Sequence, residues 1–137
     1  MSTADRRDAR ERALELLYEA QTKSQSVAAV LAQLPVAPDP YASDLALGVD
    51  GASDALDALI APTLKESWSI DRLAIVDLAL LRMAVWELRD RADVPVGVVI
   101  SEAVALAKQF SGDDAGRFVN GVLGTLAPQV RGGAAPA

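Results

Sequence analysis

Ile70–Asp90, reading IDRLAIVDLALLRMAVWELRD, is the stretch around which the rest of the chain must be arranged. Between Leu73 and Leu88 its charged residues are Asp77, Arg82 and Glu87, spaced five apart. At about 100° per residue they point in three different directions, so no polar face survives. A helix apolar on nearly every side is one that neighbours cover. Strong helix formers fill it, Gly and Pro are absent, and Ser69 stands before it as an N-cap with Asp71 in the first turn. A membrane span needs about 20 apolar residues, and Asp77 and Arg82 interrupt this run. The expectation is a central, buried helix of a soluble protein.

Working outward, the chain has 137 residues, enough for one domain with its own core. It contains no Cys and no His. Disulfides, Cys/His metal sites, thiol nucleophiles and imidazole acid–base chemistry are therefore excluded, and no phosphate-cradling Gly loop or coupled carboxylate pair stands out. No catalysis and no cofactor are expected. No signal peptide is legible at the charged N-terminus, so the expected location is cytoplasmic.

The net charge of −6 argues against a generic nucleic-acid binder. It is unevenly spread, however. Arg6, Arg7, Arg10 and Arg12 outweigh Asp5, Asp8 and Glu11, so residues 1–12 carry +1. Arginines outnumber lysines ten to three, which suits bidentate contacts to phosphate or carboxylate.

The spacing predicts a first helix from Thr3 or Ala4 to Thr22, with Ala9, Ala13, Leu16, Leu17 and Ala20 as its apolar stripe. Arg7, Glu11, Leu14 and Tyr18 run up another edge, which the residues alone read as a solvated face whose Tyr packs at a helix boundary. A short helix over Val27–Leu34 ends at Pro35, and PVAPDP (35–40) reads as a stiff loop. Tyr41–Ala61 reads as a longer helix whose Gly48 and Gly51 suggest close helix packing, with another short turn over Thr63–Trp68. After Pro95, Ile100, Ala103, Val104, Ala107 and Phe110 form an inward stripe, leaving Ser101, Glu102, Lys108 and Gln109 outside. A last helix over Ala115–Leu126 stops before Pro128, and its Gly121 and Gly124 imply tight helix contacts or a partner's approach. Residues 1–128 form the expected domain and 129–137 a disordered tail. Asp77 and Glu87, on an otherwise apolar helix, need a compensating charge: an internal arginine or a partner's basic side chain.

Three segments bear a resemblance. RRDARERALELLYEAQ (6–21), LALLRMAVWEL (78–88) and DVPVGVVISEAVALAKQFSGDDAGRFVNGVL (93–123) are similar to the transcription antitermination factor NusB family. The likeness spans residues 4 to about 127, with Glu15, Ser101 and Ala115 departing from the usual family residues. It implies an all-α single domain of about seven helices in two small bundles sharing a long buried central helix. It also implies binding of boxA RNA in nascent ribosomal RNA transcripts together with ribosomal protein NusE, within an RNA polymerase antitermination complex.

On that reading Arg6, Arg7 and Arg10, with Lys108 and Arg117, meet phosphates. Tyr18 and Phe118 offer rings for bases, Asp114 accepts from a base edge, and Asp77 and Glu87 face the ribosomal partner. A NusB-like domain also occurs fused to an RNA methyltransferase, and no such domain is expected here. The alternative from another class is a helical homodimer or scaffold module without sequence-specific RNA binding.

Overall fold

The computed structural model describes residues 3–65 and 69–131. Six α-helices are formed among the described residues: α1 (Thr3–Lys23), α2 (Val27–Ala32), α3 (Pro40–Ile60), α4 (Ile75–Asp90), α5 (Val96–Ser111) and α6 (Asp113–Val130). No strand occurs among them, and no helix there is long and apolar enough to cross a membrane. Helices α1, α2 and α3 pack on one another, α5 and α6 pack as a pair, and α4 lies against α1, α3, α5 and α6. The expected two bundles around a shared central helix are present.

Local chemistry explains most of the boundaries. Ser26 caps α2 by accepting from the Ala29 N–H, and Asp39 caps α3 by accepting from the Tyr41 N–H at 2.7 Å. Pro40 opens α3, where its missing N–H costs nothing. Between α5 and α6 there is one residue, Gly112, at φ +104°, a conformation that a Cβ would strain. Its N–H donates to the carbonyls of Ala107 and Lys108 at 3.1 Å each, so the two helices meet at a sharp joint.

The central helix is shorter than the sequence suggests. Ile70–Arg72 forms a 3₁₀ turn, and Leu73 and Ala74 are extended, so α4 starts at Ile75 and Ser69 makes no side-chain cap. No Gly or Pro stands at the break, which is therefore set by tertiary packing of the half-buried Ile70 and Leu73. Within α4, Leu80, Leu81, Val85 and Leu88 are at most 2% exposed, each burial worth about 1.5–3 kcal/mol. Leu78, on the same apolar helix, is only half-buried. Pro62 lies in a second 3₁₀ turn, Ala61–Thr63, and residues 66–68 of the turn expected there lie outside the described residues.

Two further differences concern the second bundle. The buried face of α5 consists of Val99, Glu102, Ala103, Leu106 and Ala107, while Phe110 is 44% exposed. The apolar count alone put Glu102 outside; basic partners on α1 draw it in. Helix α6 runs through Pro128 to Val130, because proline in the last turn removes a single hydrogen bond and the Gly124 it would have reached is exposed. Residues 129–131 thus belong to the fold, and the rest of the expected tail, 132–137, lies outside the described residues.

The glycines divide sharply. A Cβ on Gly48 would overlap the Trp86 indole, so α3 and α4 cross where Gly48 is bare, whereas one on Gly51, Gly121 or Gly124 would meet nothing within 4 Å. Close helix packing thus explains the first and not the other three. Gly51→Ala should stabilise the protein by about 0.5–1 kcal/mol through helix propensity. Gly48→Ala should destabilise it, because displacing a rigid indole costs about 1–3 kcal/mol and outweighs that gain. Urea melts check the pair; shifts of the same sign would contradict the crossing.

Candidate nucleic-acid interface

The basic first helix does not present all its arginines outward. Arg10 is 3% exposed, and its Nε and Nη2 donate to Glu87 of α4 at 2.9 Å each. Its Nη1 lies 3.7 Å from Glu102 of α5. Glu87, 2% exposed, also accepts the hydroxyl of Tyr41 from α3. Two sequence-based roles are corrected here. Arg10 is not a phosphate contact and Glu87 does not face a partner, because each is the other's internal counter-charge. A buried carboxylate demands such a partner, and among the alternatives open for Glu87 the structure contains the internal one.

Burial alone would disfavour the charged Arg10, but the hydrogen bonds and charge of Glu87, with Tyr41 and Glu102 nearby, outweigh it and raise its pKa. Burial, then the bond to Glu87 and its negative charge, push the Tyr41 hydroxyl up to about 12. The phenol therefore stays protonated and keeps donating.

Arg7 stands beside this network at the surface. Its Nε and Nη2 reach the two Glu102 oxygens at 3.0 and 2.6 Å, a bidentate bridge from α1 to α5. One turn further along, Gln109 donates to Glu11 at 3.5 Å. Arg6 stacks on the Tyr41 ring, its guanidinium carbon 3.8 Å from the centroid. Tyr18 is 46% exposed on α1, about 18 Å along the helix from Arg6 at 1.5 Å per residue.

The remaining expected residues gather at the start of α6. The Lys108 stem crosses α6 where Gly116 lacks a side chain. Asp114 and Arg117 form an exposed ion pair one turn apart, and Phe118 beside them is half-buried. Asp114, Arg117 and Phe118 line a largely apolar groove of about 1050 Å³, whose other walls include Leu64, Leu73, Ala74, Gly121, Val122 and Asp77.

Asp77 Oδ1 is buried and has no hydrogen-bond partner among the described residues. No internal arginine meets it. Arg82, the nearest candidate in sequence, binds Asp57 through Nε and Nη2 at 2.7 and 2.6 Å. An acceptor left unsatisfied inside a groove wall costs about 1–3 kcal/mol unless a ligand supplies the donor.

Sequence reasoning thus singled out Asp77, Asp114, Arg117 and Phe118, which line one groove, and missed Tyr41 and Glu102. Tyr41 follows the DP pair that starts α3, a signal of position with no chemistry attached. Glu102 was assigned outward by helical counting.

The chain matches the model of the NusB family over residues 7–128. It superposes on T. maritima NusB with a TM-score of 0.79 at 32% identity, covering 90% of this chain and 91% of that one. A chain from the crystal structure of antitermination factors NusB and NusE in complex with dsRNA matches at 27% identity and TM-score 0.78, covering 93% and 99%. One from the crystal structure of a plectonemic RNA supercoil matches at 28% and 0.80, covering 94% and 98%.

The network has a pH signature. The bidentate bond from Arg7 holds the Glu102 carboxyl below the usual range, against burial, which works the other way, and with help from the charges of Arg7 and Arg10. A depressed folded-state pKa contributes stability above the unfolded value and loses it as pH falls. Glu102→Gln should therefore cost about 1–3 kcal/mol at pH 7. That deficit against the wild type should shrink as pH drops below the ordinary value of 4.5. Urea midpoints across pH 3 to 7 measure it, and a deficit independent of pH would contradict the charged bridge.

Proposed function

Because this chain belongs to the NusB family, we propose that it is a non-catalytic antitermination factor. On this reading it holds boxA RNA of nascent ribosomal RNA transcripts together with ribosomal protein NusE, in an RNA polymerase antitermination complex. The observation that carries it is the α6 groove. There the Phe118 ring, the cations Lys65 and Arg117 and the Asp77 oxygen without an internal donor border one apolar concavity. Single-stranded RNA is held by cations on its phosphates and rings against its bases. A basic ribosomal protein supplies the donors that Asp77 lacks, and an acidic molecule attracts such a partner over distance.

In this reading Arg6, Arg7, Lys108 and Arg117 meet phosphates, and Phe118 stacks on a base. Asp114 accepts from a base edge beside it, Tyr18 offers a second ring further along α1, and Asp77 meets the ribosomal protein. The net charge of −6 makes RNA affinity modest until that partner adds basic surface.

Two experiments test it. Phe118→Ala should weaken binding of a boxA-containing RNA by about 1–3 kcal/mol with an unchanged salt slope. Arg117→Gln should flatten that slope by roughly 0.7. Fluorescence anisotropy against salt reads both; wild-type affinity in Phe118→Ala would exclude stacking, and equal binding of scrambled RNA would favour a scaffold module. Asp77→Ala should leave the free chain no less stable, since an unsatisfied acceptor is removed. It should weaken NusE binding by about 2–5 kcal/mol. Isothermal titration with NusE decides, and unaltered affinity would remove Asp77 from the interface.

A further inference from the structure

Tyr41 holds more than its hydrogen bond to Glu87. Arg6 of α1 stacks on its ring at 3.8 Å, and Arg91, in the loop between α4 and α5, stacks at 4.7 Å from the same centroid. The ring itself is fixed. It is 6% exposed, its hydroxyl donates to Glu87, and its backbone N–H is held by Asp39. Arg91 is fixed as well: Asp93 accepts from its Nε and Nη2 at 3.1 and 3.2 Å, and its carbonyl accepts from Arg131 at 2.9 Å.

A guanidinium held over an aromatic ring by cation–π attraction still has N–H donors to offer a phosphate. Two such groups on one ring repel each other. Asp93 engages Arg91, and Glu87 is already committed to Arg10. A polyanion relieves that repulsion, and the Arg91 Nη1 is not used by Asp93.

We propose that Tyr41 is a positioning residue of the RNA surface, gathering Arg6 and Arg91 so that Arg91 becomes an additional phosphate contact; this rests on the RNA-binding reading above. The ring touches no nucleotide. It sets where two cations from separate elements stand, and the packing that buries the ring holds it in place.

The test measures binding of a single-stranded boxA-containing RNA by anisotropy at a series of salt concentrations, with circular dichroism to check each fold. Arg91→Gln alters a surface loop and should lower the salt slope by about 0.7. Tyr41→Phe keeps the ring and should bind RNA with the wild-type slope and affinity. Tyr41→Leu removes the platform without changing any charge, and should weaken binding about two- to fivefold per guanidinium released. A wild-type slope in Arg91→Gln overturns the inference even if Tyr41→Leu fails to fold, as does a Tyr41→Phe variant as weak as Tyr41→Leu. If the wild-type protein binds no RNA, the functional reading itself falls; if it binds and Arg91→Gln is silent, the inference alone falls.

Discussion

Arg10 and Glu87 are the constraint on which the rest of the arrangement depends. Each is nearly inaccessible, they lie 77 positions apart, and their hydrogen bonds cross from the first helix to the central one. A buried ion pair is seldom a large net stabiliser, because desolvation consumes most of its Coulomb energy. Its energetic weight lies in asymmetry: removing one member strands the other at about 3–5 kcal/mol. Any rotation or slide of α1 against α4 would strand both. The apolar stripes of the two helices tolerate many near-equivalent packings. The charge pair, completed by the Tyr41 hydroxyl and by Glu102, selects one of them.

That selection shapes the surface. By drawing Arg10 inward, the network fixes the turn on which Arg6 and Arg7 stand, one on the Tyr41 ring and one on Glu102. A chain with net charge −6 thereby keeps its exposed cations at defined positions. The groove beside α6 follows a different logic, with a ring at its margin and a carboxylate oxygen left for an external donor.

The fold was legible where one physical signal dominated. Helical periodicity identified α1 and α3 and an all-round apolar run identified α4, because burying apolar surface outweighs everything local. Leu14, read onto an outer edge, is nonetheless buried, and Leu17 is only half-buried. Where signals competed, it failed. Helical counting made Glu102 a solvent residue, since nothing local says that two arginines some 90 residues earlier will meet it. Ser69 was a sound cap with no helix to cap, because packing broke the chain at Leu73 and Ala74. Pro128 was taken as a stop, yet the last turn tolerates it. The site divides the same way. Arg117 and Phe118, singled out for RNA, and Asp77, singled out for a protein partner, line one groove. Arg10 and Glu87 were marked by residue type alone, and type cannot tell a phosphate ligand from a buried counter-charge.

Arg131 closes the described chain by donating to the carbonyls of Leu88, Glu87 and Arg91 at the end of α4. Arg6, near the other end, shares the Tyr41 ring with that same Arg91. Arg6 and Arg131 therefore meet at one corner of the molecule, although the path between them visits both bundles. Such a chain is close to a closed loop, and closed loops can be reopened elsewhere. The exposed proline-rich stretch from 35 to 40 is a natural place to cut, with a short linker joining the segments that hold Arg6 and Arg131. Connectivity, in this architecture, is separable from packing.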